Sequence, residues 1–129
     1  MSIEVTFLIW SAVLAVAYIV VQSTAYRLDY GVLFAGTARD GERTPNKWTG
    51  RGNRALRNFL ETYAIFIALA VATELSGRSD GLTQWGVQIW FWARCAYLPA
   101  YFTDISFLRS GIWTVSAVGL GMLFIGVAF

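Results

Sequence analysis

The chain has 129 residues, of which 57% are hydrophobic and 14% are charged, and its mean hydropathy is +0.53. A soluble domain is usually about 25% charged, so this composition excludes an ordinary water-soluble domain and indicates a membrane protein. Histidine is absent, Cys95 is the single cysteine and the net charge is only +2, so neither a metal site nor a nucleic-acid partner is expected.

Four segments of the chain are long enough to cross a hydrocarbon core of about 30 Å, which needs roughly 17–25 residues. Short second and third connections make consecutive helices antiparallel neighbours. We therefore predict an all-α integral membrane protein, a four-helix bundle in which residues 1–129 form one transmembrane domain surrounded by membrane lipids. The predicted helices cover about 5–26, 53–75, 82–102 and 109–129.

Basic residues indicate how the chain is oriented in the membrane. Seven of the ten lie in the long first connection or at the start of the second helix, and Arg109 lies at the same end of the helices. Arg78 is the only one at the opposite end. The excess of Lys and Arg in cytoplasmic loops predicts that the first and third connections are cytoplasmic. Because little of the chain lies outside the predicted helices, we expect a bacterial inner membrane protein. Both termini would then lie in the periplasm.

Polar residues within the predicted spans gather on faces of the second and third helices. Residues that recur at three- and four-residue spacing share one face of a helix. Burying either Glu61 or Arg94 alone would cost several kcal/mol, so we predict that they pair, or share a polar network, in a structural role. The members of the two faces are Arg54, Arg57, Asn58 and Glu61 on the second helix and Arg94, Tyr97 and Tyr101 on the third.

Three further guanidinium groups lie near the same end of the helices, those of Arg54, Arg57 and Arg109, together with Asn58 and two tyrosines. Arginine binds carboxylates and phosphates through two parallel hydrogen bonds, which favours a pocket for a small polyanionic ligand near the cytoplasmic surface. The other interpretation is that these long side chains only reach towards water and mark the topology. The residues alone do not decide between the two.

The stretch RALRNFLETYAIF, residues 54–66, resembles the signature of the MAPEG family, the membrane-associated proteins of eicosanoid and glutathione metabolism. The resemblance covers essentially the whole chain, with four helices, a long first connection and the same order of motifs, and we take the chain for a bacterial member. Two further motifs match, an Arg-x-x-Tyr-x-x-x-Tyr spacing and an Arg-Ser pair that opens the last helix: Arg94, Tyr97, Tyr101, Arg109 and Ser110.

The resemblance implies a left-handed four-helix bundle that assembles as a homotrimer and binds glutathione between subunits near the cytoplasmic side. It implies a membrane-bound glutathione transferase or peroxidase that acts on lipophilic electrophiles entering from the lipid. Arg109 would stabilise the glutathione thiolate, which is the reactive form of a thiol. The residues that the family pattern assigns to glutathione binding are Arg27, Arg54, Asn58, Glu61, Tyr97, Tyr101 and Ser110.

Two positions depart from the family pattern. Trp113 stands where some members carry a tyrosine, four residues after the arginine of the last helix, and an indole cannot act as a phenol. Leu56 stands where well-studied animal members carry histidine or glutamine. The alternative function is therefore a non-catalytic membrane protein of the same fold that binds a lipid headgroup or an anionic metabolite.

Overall fold

The structure, a computed structural model, describes residues 1–129, and its regular secondary structure is all helical, as predicted. Three of the helices, α1, α3 and α5, are long and apolar enough to cross a membrane, which identifies an integral membrane protein. The helices are α1 (Ile3–Tyr30), the short α2 (Val32–Ala35), α3 (Lys47–Ser76), α4 (Gly81–Tyr101) and α5 (Leu108–Ala128).

The helices on either side of the first connection are longer than the apolar pattern predicts. α3 begins at Lys47, because the side chain of Asn46 caps it by accepting a hydrogen bond from the backbone amide of Thr49 at 2.9 Å. α1 continues to Tyr30. The connection between them is therefore reduced to residues 31–46 and contains α2.

Polar contacts at both ends of the α1–α3 pair show that these two helices run in opposite directions. Near the start of α3, Gln22 donates from Nε2 to Oδ1 of Asn53 at 2.8 Å. Near its end, Ser2 donates from Oγ to a carboxylate oxygen of Glu74, also at 2.8 Å. The α1–α3 interface is therefore closed by side-chain hydrogen bonds at both ends.

α4 runs parallel to α1 and is joined to it at two levels. The carboxylate of Glu4, which is fully buried, accepts a hydrogen bond from the hydroxyl of Thr83 at 2.6 Å, close to the start of both helices. Further along, the hydroxyl of Tyr18 donates to the backbone carbonyl of Arg94 at 2.7 Å. Since α1 is antiparallel to α3, the long helices alternate in direction along the chain.

α4 and α5 form the most extensive helix pair in the molecule. Their backbones meet where Gly86 faces Gly119: a Cβ atom added to Gly119 would lie 2.9 Å from the carbonyl oxygen of Gly86 and 2.7 Å from the backbone nitrogen of Trp90. Small residues allow helices in membranes to approach this closely. The crossing sets the position of α5, and hence of its first turn, relative to α4.

Aromatic rings fill the interior between α1, α3 and α4. The rings of Phe66 and Trp90 stack with their centroids 3.9 Å apart, and those of Tyr18 and Phe59 stack at 4.4 Å. All four side chains are almost completely buried. This packed layer lies directly beneath the polar residues of α3 and α4 and holds the two helices in a defined register.

Candidate functional site

An open groove of about 310 Å³ lies between α3, α4 and α5, and we call it the first groove. Two cations lie near the ring of Tyr101: the Cζ atom of Arg109 is 4.7 Å and that of Arg54 is 5.9 Å from the ring centroid. Most of the predicted ligand-binding side chains thus come together here. The groove is lined by Asn58, Tyr97, Tyr101, Arg109, Ser110, Trp113 and Thr114.

A second groove, of about 490 Å³, lies between α1 and α3. It contains Glu61, which the family resemblance assigns to the same ligand as Asn58, but the two residues line different grooves. Arg27 is exposed on α1 and lines neither groove. The predicted site residues are therefore divided within the chain. The second groove is lined by Gln22, Asn53, Leu56, Arg57, Leu60 and Glu61.

The ion pair predicted between Glu61 and Arg94 is not formed. Arg94 is fully buried, and its guanidinium donates from Nη1 to Oδ1 of Asn58 at 2.8 Å and from Nη2 to the hydroxyl of Thr62 at 2.9 Å. Asn58 and Thr62 are one helical turn apart and face α4, whereas the side chain of Glu61 turns away and is exposed. The polar network around Arg94 is therefore built from neutral side chains.

The start of α5 adds positive potential to the first groove. Arg109 and Ser110 lie in the first turn of this helix, whose N-terminus has no side-chain cap. The N-cap residue, Phe107, has a left-handed backbone (φ 64°), which is uncommon for a residue other than glycine. The unpaired backbone N–H groups of a first turn carry partial positive charge, so they act in the same sense as Arg109.

Arg51 holds the connection that leads into α5, a role that the sequence pattern did not predict. Its guanidinium donates from Nη2 to Oδ1 of Asp104 at 2.6 Å and from Nη1 to the carbonyl of Phe102 at 3.2 Å. The hydrogen bond from Arg51, with the charge of Lys47 beside it, holds the pKa of Asp104 below its usual range. The only signal in the sequence is one acidic residue in this connection opposite a basic stretch.

Of the comparisons with known proteins, the one with family models places the chain in a family. No curated protein and no solved structure matches it. The family model described as MAPEG family matches residues 7–129, which include both grooves and nearly all of the helical structure. This match agrees with the motifs of the second, third and last predicted helices, and on its extent the chain belongs to the MAPEG family.

Proposed function

We propose that the protein is a membrane-bound, glutathione-dependent transferase or peroxidase that acts on lipophilic electrophiles. The observation that carries this proposal is the first groove, where Arg109 has no carboxylate partner within the protomer; Arg54, 5.9 Å from the ring of the groove residue Tyr101, has none either. Glutathione brings two carboxylates and a thiol, and guanidinium groups bind carboxylates through paired hydrogen bonds. Uncompensated cations beside a donor amide, two phenols and a hydroxyl suit such a ligand.

The chemistry we propose rests on Arg109. A free thiol with a pKa of about 8.5 is mostly protonated at neutral pH and reacts as the thiolate. A guanidinium held against a low-dielectric wall stabilises that thiolate and so lowers its pKa. In conjugation, the thiol proton passes to solvent, the sulfur forms a bond to the electrophilic carbon, and the leaving group departs with the electron pair of the broken bond.

Reduction of a hydroperoxide would use the same thiolate. Its sulfur attacks the outer peroxide oxygen, the O–O bond breaks, and the alkoxide takes up a proton to become an alcohol. A second glutathione then reacts with the sulfenic acid formed, which yields glutathione disulfide and water. Both reactions need only a stabilised thiolate in the groove, and neither requires a side chain of this chain to form a covalent bond.

We propose that α4 crosses the membrane together with α1, α3 and α5, which gives a four-helix transmembrane bundle. In support, α4 packs along α5 and its one charged side chain, Arg94, is fully buried in the protein interior. The first and third connections would lie in the cytoplasm, where the positive-inside rule puts basic loops. The first groove would then open at the cytoplasmic end of the bundle, within reach of glutathione.

We propose further that three protomers form a ring in which the first groove of one protomer meets the second groove of the next. The division of predicted glutathione residues between two faces of α3 supports this arrangement. A ring built from head-to-tail contacts presents a different surface on each side of every protomer, so it can join two unlike grooves. Glu61 of one protomer would then reach the ligand held by Arg109 of its neighbour.

The direct test of the proposed function is glutathione binding to the purified protein in detergent. A ligand at 100 times its Kd stabilises the folded state by about 2.7 kcal/mol, so the thermal midpoint is expected to rise with glutathione concentration. The matched control is the tripeptide with serine in place of cysteine, which keeps both carboxylates and lacks the thiol. No shift at millimolar glutathione contradicts the proposal. Equal stabilisation by unrelated anions, without conjugation, supports the non-catalytic alternative.

The composite site predicts complementation between inactive subunits. We expect Arg109→Leu, which disables the first groove, and Glu61→Leu, which disables the second, each to be inactive alone. Each mixed trimer contains one intact interface out of three, so trimers that carry both variants are expected to recover about a third of wild-type conjugation. The measurement is conjugation of an aryl halide by co-expressed, doubly tagged trimers. If both grooves had to come from one protomer, the mixture would stay inactive.

A further inference from the structure

The orientation of the Asn58 side chain is determined by its neighbour. An amide can present either its oxygen or its NH₂ group to a contact, and the two ends are otherwise nearly equivalent in shape. Arg94 carries five donors and no acceptor, so the 2.8 Å contact from its Nη1 atom can be made only with the amide oxygen. The NH₂ group of Asn58 therefore points away from Arg94, and it makes no hydrogen bond within the protomer.

Asn58 lines the first groove and is half-buried, so its unpaired NH₂ group is available to a ligand there. Arg109 and Ser110 line the same groove. The amide is thus one of several donors around the space, and its direction decides whether the groove wall offers a donor or an acceptor at this point. If the amide oxygen of Asn58 pointed into the groove instead, it would repel an anion that Arg109 and Arg54 attract.

Arg94 itself is a buried cation without a counterion. It is 0% exposed, no carboxylate lies within ion-pair distance, and its Nε atom has no hydrogen-bond partner. Its Cζ atom lies 4.9 Å from the centroid of the Tyr97 ring, a groove residue. Burying an unpaired charge is costly, and ionisable groups kept inside membrane proteins usually serve a site. An anion in the groove, beyond Asn58 and Tyr97, would offset this charge.

We propose that Arg94 is a positioning residue of the first groove: it holds the Asn58 amide with its NH₂ group towards the ligand and favours a negative charge there. This inference rests on the proposed function, since the anion concerned is the thiolate form of glutathione. It also accounts for the missing pair with Glu61. A carboxylate bound to Arg94 would cancel the charge that faces the groove.

The experiment measures the apparent pKa of the bound glutathione thiol, from the pH dependence of kcat/KM for the aryl halide with the trimer in detergent saturated with glutathione. We expect Arg94→Met to raise it by about one unit or more, which is a tenfold loss of thiolate at a given lower pH. Asn58→Asp is expected to raise it too, because the contact with Arg94 survives while the donor is lost. Arg94→Lys keeps a cation with donors only and is expected to restore much of the wild-type profile.

Thr62→Val is the matched control, since it removes the other hydrogen bond of Arg94 and leaves the Asn58 amide in place. If Arg94 only fastens α3 to α4, Thr62→Val and Arg94→Met would lower thermal stability while the thiol pKa stays at the wild-type value. Wild-type protein that binds glutathione, with an unchanged thiol pKa in both Arg94→Met and Asn58→Asp, overturns the positioning role alone. Wild-type protein that does not bind glutathione overturns the proposed function and this inference together.

Discussion

Replacement of Arg109 by leucine is expected to lower the rate of glutathione conjugation by about 10²–10³-fold while the protein stays folded. Removing one preorganised group that stabilises a developing or fixed anion typically reduces the rate by that factor. Arg109 is exposed and forms no ion pair within the chain, so its loss removes charge from the groove without leaving a buried group unpaired. The measurement is kcat/KM with an aryl halide, alongside size-exclusion chromatography and the thermal midpoint.

The matched control is Arg78→Leu, which removes an exposed arginine at the opposite end of the helices and is expected to retain the wild-type rate. Arg109→Lys keeps the charge and loses the planar fork, so an intermediate rate is expected. Conjugation that survives Arg109→Leu at the wild-type rate would show that another group stabilises the thiolate. Arg54, the second cation beside the ring of Tyr101, would then be the next residue to replace.

The membrane-spanning character of the chain could be predicted from the sequence, because its apolar runs are long enough to cross the hydrocarbon core of a membrane. The true start of α3 could not. Gly50 and Gly52 lie in its first turns. Because glycine lowers helix propensity, the sequence predicted that these residues belong to the first connection. Gly52 instead allows α3 to approach α1, where a Cβ atom would lie 3.4 Å from the Cα atom of Gln22. Close packing and the Asn46 cap outweigh the propensity.

The gathering of polar residues at one end of α3 and α4 also followed from helical spacing, but their partners did not. Asn58 and Glu61 are three residues apart, which is roughly 60° around the helix axis. A rotation of α3 by that small angle decides whether an amide or a carboxylate meets Arg94. Packing of Phe59 and Phe66 against α1 and α4 sets the rotation, and this information lies in the three-dimensional fit of the side chains.

Substitution of Gly119 by alanine is expected to lower the free energy of unfolding by about 1–3 kcal/mol, the usual effect of an extra methyl group in a packed interior. The new Cβ atom would lie 2.7 Å from the backbone nitrogen of Trp90 and 2.9 Å from the carbonyl oxygen of Gly86. Both are backbone atoms, so neither can move aside by a change of rotamer. The α4–α5 pair would have to separate, and thermal unfolding in detergent measures the loss.

Gly121→Ala, two residues further along α5, distinguishes this steric effect from a general effect of the substitution. No atom lies within 4 Å of the added Cβ at that position, and alanine is favoured over glycine in a helix by up to about 1 kcal/mol. The two changes are therefore expected to shift stability in opposite directions. If Gly119→Ala stabilises the protein as Gly121→Ala does, α4 and α5 do not cross at Gly86 and Gly119. The first turn of α5, with Arg109, would then lie elsewhere relative to Tyr97 and Tyr101.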